Sequence, residues 1–208
     1  MPIITGIEKQ KKEGRYNIYL DGDFAFGLYK ETIYDYGLRV NDNLTETKIN
    51  EIREKDEIGF GNKVAIKFLN YKSRSEKEVR RKLKEKKLSA VSIDKIISRL
   101  KEFKFLDDEQ YAKMFVESKL IHNPKGRRAL SIKLAEKGIP KDTVQSTIEE
   151  NYSEETEIKK AQEVLKKYQK KSHKGSPQEI KQKCFRHLLS KGFDFDIVKK
   201  VLKISEGE

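Results

Sequence analysis

From residue 63 onward the apolar positions recur at helical spacing and in a longer pattern laid over it. Ala65, Phe68, Leu69 and Tyr71 mark one helix, Val79 and Leu83 a second, and Ile93, Ile96, Ile97 and Leu100 a third. The sequence then starts again. Ala112, Phe115 and Val116 are followed by Leu130 and Leu134, and these by Val144 and Ile148. A further round runs through Ala161, Val164 and Leu165, then Cys184 and Leu188, then Val198 and Leu202. Leu83, Leu134 and Leu188 each stand five positions before an apolar turn residue, Leu88, Ile139 and Phe193. A period of about 50 residues predicts a tandem array of three-helix modules.

The first quarter has a different rhythm. Ile3, Thr5 and Ile7 alternate, as do Tyr16, Ile18 and Leu20, and Asp21-Gly22 stands between Leu20 and the aromatic pair Phe24 and Phe26. That pattern predicts a three-stranded meander closed by a type I′ turn. A short helix over 28–36 ends at Gly37, and a second starts at Thr45 with Ile49 and Ile52. Its acidic end reaches Gly59 and Gly61, where a boundary is expected. The fold class is therefore mainly α: three helix-turn-helix-like repeats after a small β-meander with two helices. The expected divisions are 1–60, 61–106, 107–152 and 153–208.

Charge changes the picture most in the second helix of each module. Tyr71 to Leu88 holds nine Lys/Arg against three Glu. Ser75 and Glu78 have the spacing of a capping box. On that helix Lys77, Arg80, Arg81, Lys84 and Lys87 fall in one stripe roughly 120° wide. Glu76 and Glu85 reach Arg80 and Arg81 at i,i+4 and leave the stripe's lysines without partners. The second module repeats the bias with Lys125, Arg127, Arg128, Lys133 and Lys137, and the third with Lys181, Lys183, Arg186 and Lys191. The loops before these helices also correspond: 72–75, 122–126 and 172–177. Between the second and third modules, residues 141–157 carry six acids and one base. Charge segregated by helix, on a chain of net charge +12, points to one long basic surface and a polyanionic partner.

Catalytic chemistry finds no foothold. His122, His173 and His187 lie in different modules, so no metal-ligand spacing arises. Cys184, the only cysteine, fits as a small core residue without an acid–base partner. Asp107-Asp108 reads as a helix N-cap with a favourable macrodipole charge. There is no phosphate-binding glycine loop. Aromatics alternating along Tyr16, Tyr19, Phe24 and Phe26 suit a base-stacking platform, although such runs are as a rule half core and half surface. The N-terminus MPIITGIEKQ lacks a signal-peptide pattern, and no apolar run is long enough to span a membrane. No enzyme, cofactor or metal is expected, and the chain reads as cytosolic.

SRSEKEVRRKLKEKKLS, LKEFKFLDDEQYAKMFVESKL and KGRRALSIKLAEKGIPKDTV together resemble the RecX family of bacterial recombination regulators. The likeness is close over about residues 60–150 and looser in the third repeat, where KGFDFDIVKKVL keeps the turn and helix. Pro140 departs from the Ser or Asp that family members commonly carry there, and proline is tolerated at a helix start. The resemblance implies an elongated, curved, monomeric, non-enzymatic modulator that lies in the groove of the RecA nucleoprotein filament. It implies inhibition of ATP hydrolysis, strand exchange and co-protease activity, with a place in DNA repair and the SOS response.

The residues expected to touch RecA or DNA are Arg74, Lys77, Arg80, Arg81 and Lys84, then Lys125, Arg127, Arg128 and Lys133, then Lys181, Lys183 and Arg186. Their expected role is weak, non-specific contact with phosphates and with acidic RecA surface. The alternative is a helix-turn-helix transcription regulator with the basic helix in the major groove. Against it, the exposed face of 75–88 is almost all Lys, Arg and Glu and lacks the amide and hydroxyl side chains that discriminate bases.

Overall fold

The computed structural model describes residues 1–11, 13–170 and 175–204. Strands β1 (Ile4–Lys9), β2 (Arg15–Leu20) and β3 (Asp23–Tyr29) form one antiparallel sheet in that order. Asp21 and Gly22 both take positive φ, 51° and 96°, and Leu20 pairs with Asp23, as a type I′ hairpin requires. Phe26 is buried and Phe24 is exposed, so the aromatics do divide between core and surface. Strand β3 runs on to Tyr29, three residues past the expected meander, because Arg15 pairs across to Tyr29 and extends the ladder. Ile4, Ile18, Phe26 and Leu28 of the sheet pack with Leu38, Leu44 and Ile52 into one core.

Helix α1 (Lys30–Asp35) is short. Helix α2 (Glu46–Tyr71) starts at the Thr45 cap and continues unbroken for 26 residues, through Gly59 and Gly61 where an end was expected. The physical reason is packing. A Cβ on Gly61 would lie 2.3 Å from Ile96 Cδ1 and 2.4 Å from Leu88 Cδ2, so the glycine permits close approach. The acidic end of the expected helix is likewise mid-helix. Asp56 accepts from the Tyr29 N–H and the Thr32 hydroxyl, both at 2.7 Å. Glu57 accepts from Ser89 N–H at 2.6 Å and from the hydroxyls of Ser89 and Ser92. Adjacent carboxylates on α2 thus cap two other helices.

The remaining helices are α3 (Glu76–Glu85), α4 (Ala90–Glu102), α5 (Asp108–His122), α6 (Arg127–Glu136), α7 (Lys141–Asn151), α8 (Glu154–Gln169), α9 (Pro177–Ser190) and α10 (Phe195–Ile204). Modules two (α5–α7) and three (α8–α10) each bury one apolar cluster. The first is built on Leu130, Leu134, Ile139, Val144, Ile148 and Tyr152, the second on Leu165, Leu188, Phe193, Val198 and Val201. The first module, completed by the C-terminal part of α2 with α3 and α4, buries Ala65, Val79, Leu83, Ile96 and Ile97.

The five-residue spacing has a local cause. Leu88, Ile139 and Phe193 donate their N–H to the carbonyls of Leu83, Leu134 and Leu188, and the residue before each donates three positions back. These are Schellman caps, with Lys87, Gly138 and Gly192 in the left-handed region at φ 63°, 84° and 83°. All six apolar partners are buried. By compactness the chain divides into two units: Met1–Lys72 with Val79–Phe105, and Ser73–Glu78 with Leu106–Glu208. Each is described by itself below.

Candidate functional site

In the first unit, Val79 and Leu83 turn inward from α3 and leave Arg81 and Lys84 exposed. Arg81 Nε lies 3.9 Å from Glu85, the i,i+4 partner expected. Arg80 is half-buried and donates to Asp94 of α4 at 2.5 Å, a long-range partner that helical spacing does not suggest. Lys84 forms no ion pair among the described residues and stands open to solvent.

The second unit holds the other nine candidates and brings the first turn of α3 onto the second module. The Ser75 hydroxyl donates to the Lys137 carbonyl at 2.7 Å. Ser75 N–H donates to Glu78 and Glu78 N–H to Ser75 Oγ, closing the capping box. Glu78 in turn takes Lys137 Nζ at 2.7 Å and Arg74 at 4.0 Å. Lys77 Nζ donates to the Glu136 carbonyl at 3.0 Å, and Glu76 N–H to Asp108 at 2.8 Å. Burial pushes the Glu78 carboxyl up, but bonds from Lys137 and Ser75 and the charges of Lys137 and Arg74 hold it below its ordinary value. The Tyr111 phenol nearby is pushed up to about 12, by burial and then by the Glu78 charge. Arg74, with only 13% of its side chain exposed, is therefore drawn into this junction, and Lys77 is tied by its ammonium.

The next junction, between modules two and three, uses the same positions with different residues. Gly126 stands where Ser75 does, Ala129 where Glu78 does, and Lys191 where Lys137 does. Gly126 N–H donates to the Lys191 carbonyl at 3.1 Å. A Cβ on Gly126 would lie 2.0 Å from the Gly192 carbonyl oxygen, and one on Gly192 would lie 2.3 Å from Ala129 Cβ, so both turns meet backbone on backbone. The start of α6 is capped from α8: Arg127 N–H donates to Glu157 at 2.9 Å, and Arg127 Nε pairs with the other oxygen at 3.2 Å. Arg127 also donates to the Tyr152 carbonyl, and the Tyr152 hydroxyl to the Lys125 carbonyl at 3.0 Å. Burial raises the Glu157 carboxyl above its ordinary value, against the Arg127 N–H and charge. Tyr152 is fully buried and its phenol is raised by that burial. Of the acidic segment 141–157, Tyr152 and Glu157 are thus packed into the joint, while the other five acids are exposed.

Here the cations gather without carboxylates. Lys125 is half-buried, and its ammonium is held below the usual lysine range by burial and then by the charges of Lys191, Lys133 and Lys119. Arg128 and Lys133 are exposed on α6. Lys119 lies in the last turn of the first helix α5, away from the basic bias of the second helices, and Lys191, at the end of α9, shares that bias but is not among the residues expected to touch RecA or DNA. Their signal is the loop-to-turn packing, which no local pattern carries. On α9, Lys181 and Arg186 line an open cavity of about 640 Å³ with Gln178, Gln182, Phe185 and Leu202, and Lys183 is half-buried beside them.

Other candidate chemistry is accounted for structurally. His187 is half-buried and stacks on Tyr168 at 3.9 Å. Cys184 is buried and its thiol is pushed up by that burial. Asp107 accepts from Gln110 N–H at 2.9 Å as an N-cap, while Asp108 serves α3. His173 and the start of its loop lie outside the described residues. Among the described residues no group of His, Cys, Asp or Glu has metal-site geometry, and no helix is long and apolar enough to cross a membrane.

Comparison with known proteins follows the modular plan. Residues 2–45 match the regulatory protein RecX N-terminal domain, and residues 63–100, 107–148 and 155–202 match the first, second and third RecX three-helix domains. The regulatory protein RecX of Clostridium botulinum is 37% identical over 207 residues, covering 98% of this chain and 96% of its own length. That of Bacillus subtilis is 36% identical over 199 residues, covering 95% and 75%. Among solved structures, a crystal structure of regulatory protein RecX superposes with a TM-score of 0.68 at 25% identity, covering 97% of this chain and 98% of the other. RecX from Lactobacillus salivarius gives 0.69 at 25% identity over 74% and 99%.

Proposed function

The chain belongs to the RecX family of regulatory proteins, and from that premise we propose that it binds the RecA recombinase and its nucleoprotein filament and inhibits ATP hydrolysis, strand exchange and co-protease activity. It acts in the cytoplasm, as a monomer and without a cofactor or chemistry of its own. The observation that carries this reading is the match of the N-terminal segment and all three modules, in order, to the RecX domains.

The basic residues divide by their surroundings. Arg81, Lys84, Arg128, Lys133, Lys181 and Arg186 are exposed on second helices and supply direct contact to phosphates and acidic RecA surface. Lys125 and Lys183 are half-buried and join them at close range. Arg74, Lys77, Arg80 and Arg127 are engaged within the fold and hold those helices in place. Several weak contacts spread along a tandem array combine into useful avidity when they engage one repeating lattice.

The test is RecA-catalysed ATP hydrolysis on single-stranded DNA, titrated with the full chain. Hydrolysis is expected to fall at micromolar protein or below; unchanged hydrolysis and strand exchange would refute the reading. A preference of about a thousandfold among duplex sequences would favour a sequence-reading transcription regulator instead.

A further inference from the structure

We propose that the junction between the second and third modules is a binding site for the phosphodiester backbone of nucleic acid, formed by Lys119, Lys125, Lys133 and Lys191. The inference deepens the filament-contact reading, and it is tested on nucleic acid alone so that the two stand or fall separately.

Three observations converge. First, the fold forces two of these cations, Lys125 and Lys191, together. The Gly126–Gly192 approach leaves no room for a side chain between the two loops, and Gly126 N–H bonds the Lys191 carbonyl, which fixes Lys125 beside Lys191. Second, none of the four forms an ion pair among the described residues. The matching cation of the preceding junction, Lys137, has Glu78 at 2.7 Å. At the second junction that carboxylate's position is Ala129, against which Gly192 packs. Third, burial and then the charges of Lys191, Lys133 and Lys119 hold the Lys125 ammonium below the usual lysine range, so part of that cost is mutual repulsion in the array. Like charges gathered at a cost to folding mark a place where a ligand of opposite charge recovers it.

The chemistry favours phosphodiester over an acidic peptide. The four ammonium groups come from two helices and two loops and act as point charges, a common way of meeting phosphate. Lys119 Nζ lies 5.3 Å from the Phe115 ring centre, and the other three lysines bring charge alone. Protein partners are held mainly through buried anchors. A nucleic-acid backbone needs only the cations. With no amide or hydroxyl group among the four, the site has no means to read bases.

The experiment is fluorescence anisotropy of labelled oligo(dT) and of a mixed-sequence duplex, titrated with the full chain between about 50 and 200 mM salt. Lys125→Gln with Lys191→Gln is expected to lower affinity by about tenfold to a hundredfold near 100 mM salt and to reduce the log–log salt slope by about 2. A charge-matched control, Lys166→Gln with Lys167→Gln on the exposed part of α8, is expected to change affinity less than about threefold. Equal losses in the two variants would overturn the site. So would loss of polyglutamate binding with oligonucleotide binding intact, which assigns the lysines to an acidic polypeptide. If the Lys125/Lys191 variant loses helical circular dichroism, Lys119→Gln with Lys133→Gln carries the same expectation and the same refutation. Should the wild-type chain leave RecA hydrolysis untouched while the Lys125/Lys191 substitutions abolish nucleic-acid binding, the site stands and the filament reading falls.

Discussion

The two junctions of the second unit solve one packing problem in opposite electrostatic ways. Each sets the N-terminus of a second helix against the glycine turn of the following module, and each borrows a carboxylate from the following module's first helix as a cap. The earlier junction has a serine, a glutamate and a paired lysine at its centre. The later one has two glycines, an alanine and unpaired lysines. The first is held by directional polar bonds that neutralise one another. The second adds close backbone contact to its Arg127–Glu157 pair and leaves its lysines without carboxylates. One fold position can thus serve cohesion in one module and recognition in the next.

The sharpest way to break the comparison is Gly126→Ala. Its φ of −69° suits any residue, so the effect is purely steric: the new Cβ meets the Gly192 carbonyl, which is backbone and cannot swing aside. A loss of about 3 kcal/mol or more is expected in urea unfolding. Gly138→Ala at the earlier junction carries a positive-φ penalty and a contact with the Lys77 side chain, and is expected to cost about 1–2 kcal/mol. If the two cost the same, the later junction does not depend on backbone contact.

Exchanging the charges is the next test. Glu78→Gln removes the partner of Lys137 and is expected to cost about 1 kcal/mol, discounted because Lys137 is 37% exposed. Freed of that carboxylate, the earlier junction becomes cationic, and oligonucleotide affinity is expected to rise a few-fold. Ala129→Glu does the reverse by giving Lys191 the carboxylate that Lys137 already has, and anisotropy is expected to show weaker binding. Unchanged affinity in both variants would separate the local charge balance from recognition.

The smallest effect is in pH dependence, where the two junction carboxylates have opposite sign. Glu78 sits below its ordinary value, so its contribution is present above that value and is lost as pH falls through the lowered one. Glu157 sits above its ordinary value, so its contribution is fully present in acid and is lost as pH rises through the raised one. Relative to wild type, Glu157→Gln should therefore fare better at pH 7 than at pH 4, and Glu78→Gln worse. Thermal melting across that range checks the sign; parallel profiles would mean that neither carboxylate is perturbed as described.

What the amino-acid sequence discloses and what it hides follow a single distinction, between bonds closed within a few residues and bonds closed across tens. The Schellman turns at Leu88, Ile139 and Phe193, the Asp21-Gly22 hairpin and the Ser75–Glu78 box are local, and their residue types announce them. The full length of α2 is not, because a glycine placed for close approach to Leu88 and Ile96 looks the same as a glycine that ends a helix. Basic residues on one helical stripe were correctly read as facing outward at Arg81 and Lys84. No local pattern announces Glu136, Asp94 and Glu157, which reach Lys77, Arg80 and Arg127 from 59, 14 and 30 residues away. Lys119 is hidden for the same reason, and the sequence shows Lys191 as one more base on α9 but not its place beside Lys125, which the docking of two loops sets.

The borrowed caps also set an order in time. A nascent chain emerging at about 5–20 residues per second must extend 30 residues beyond Arg127 before Glu157 exists to receive its N–H, a delay of about 1.5–6 s. Helix α3 closes its Ser75–Glu78 box within one turn and waits a comparable interval only for the further acceptor Asp108, 32 residues on. Helix α9 waits for nothing, since Ser176 and Glu179 close its N-terminus within one turn. On the ribosome the start of α6 is thus finished only by the birth of the third module, while α3 and α9 begin from boxes of their own.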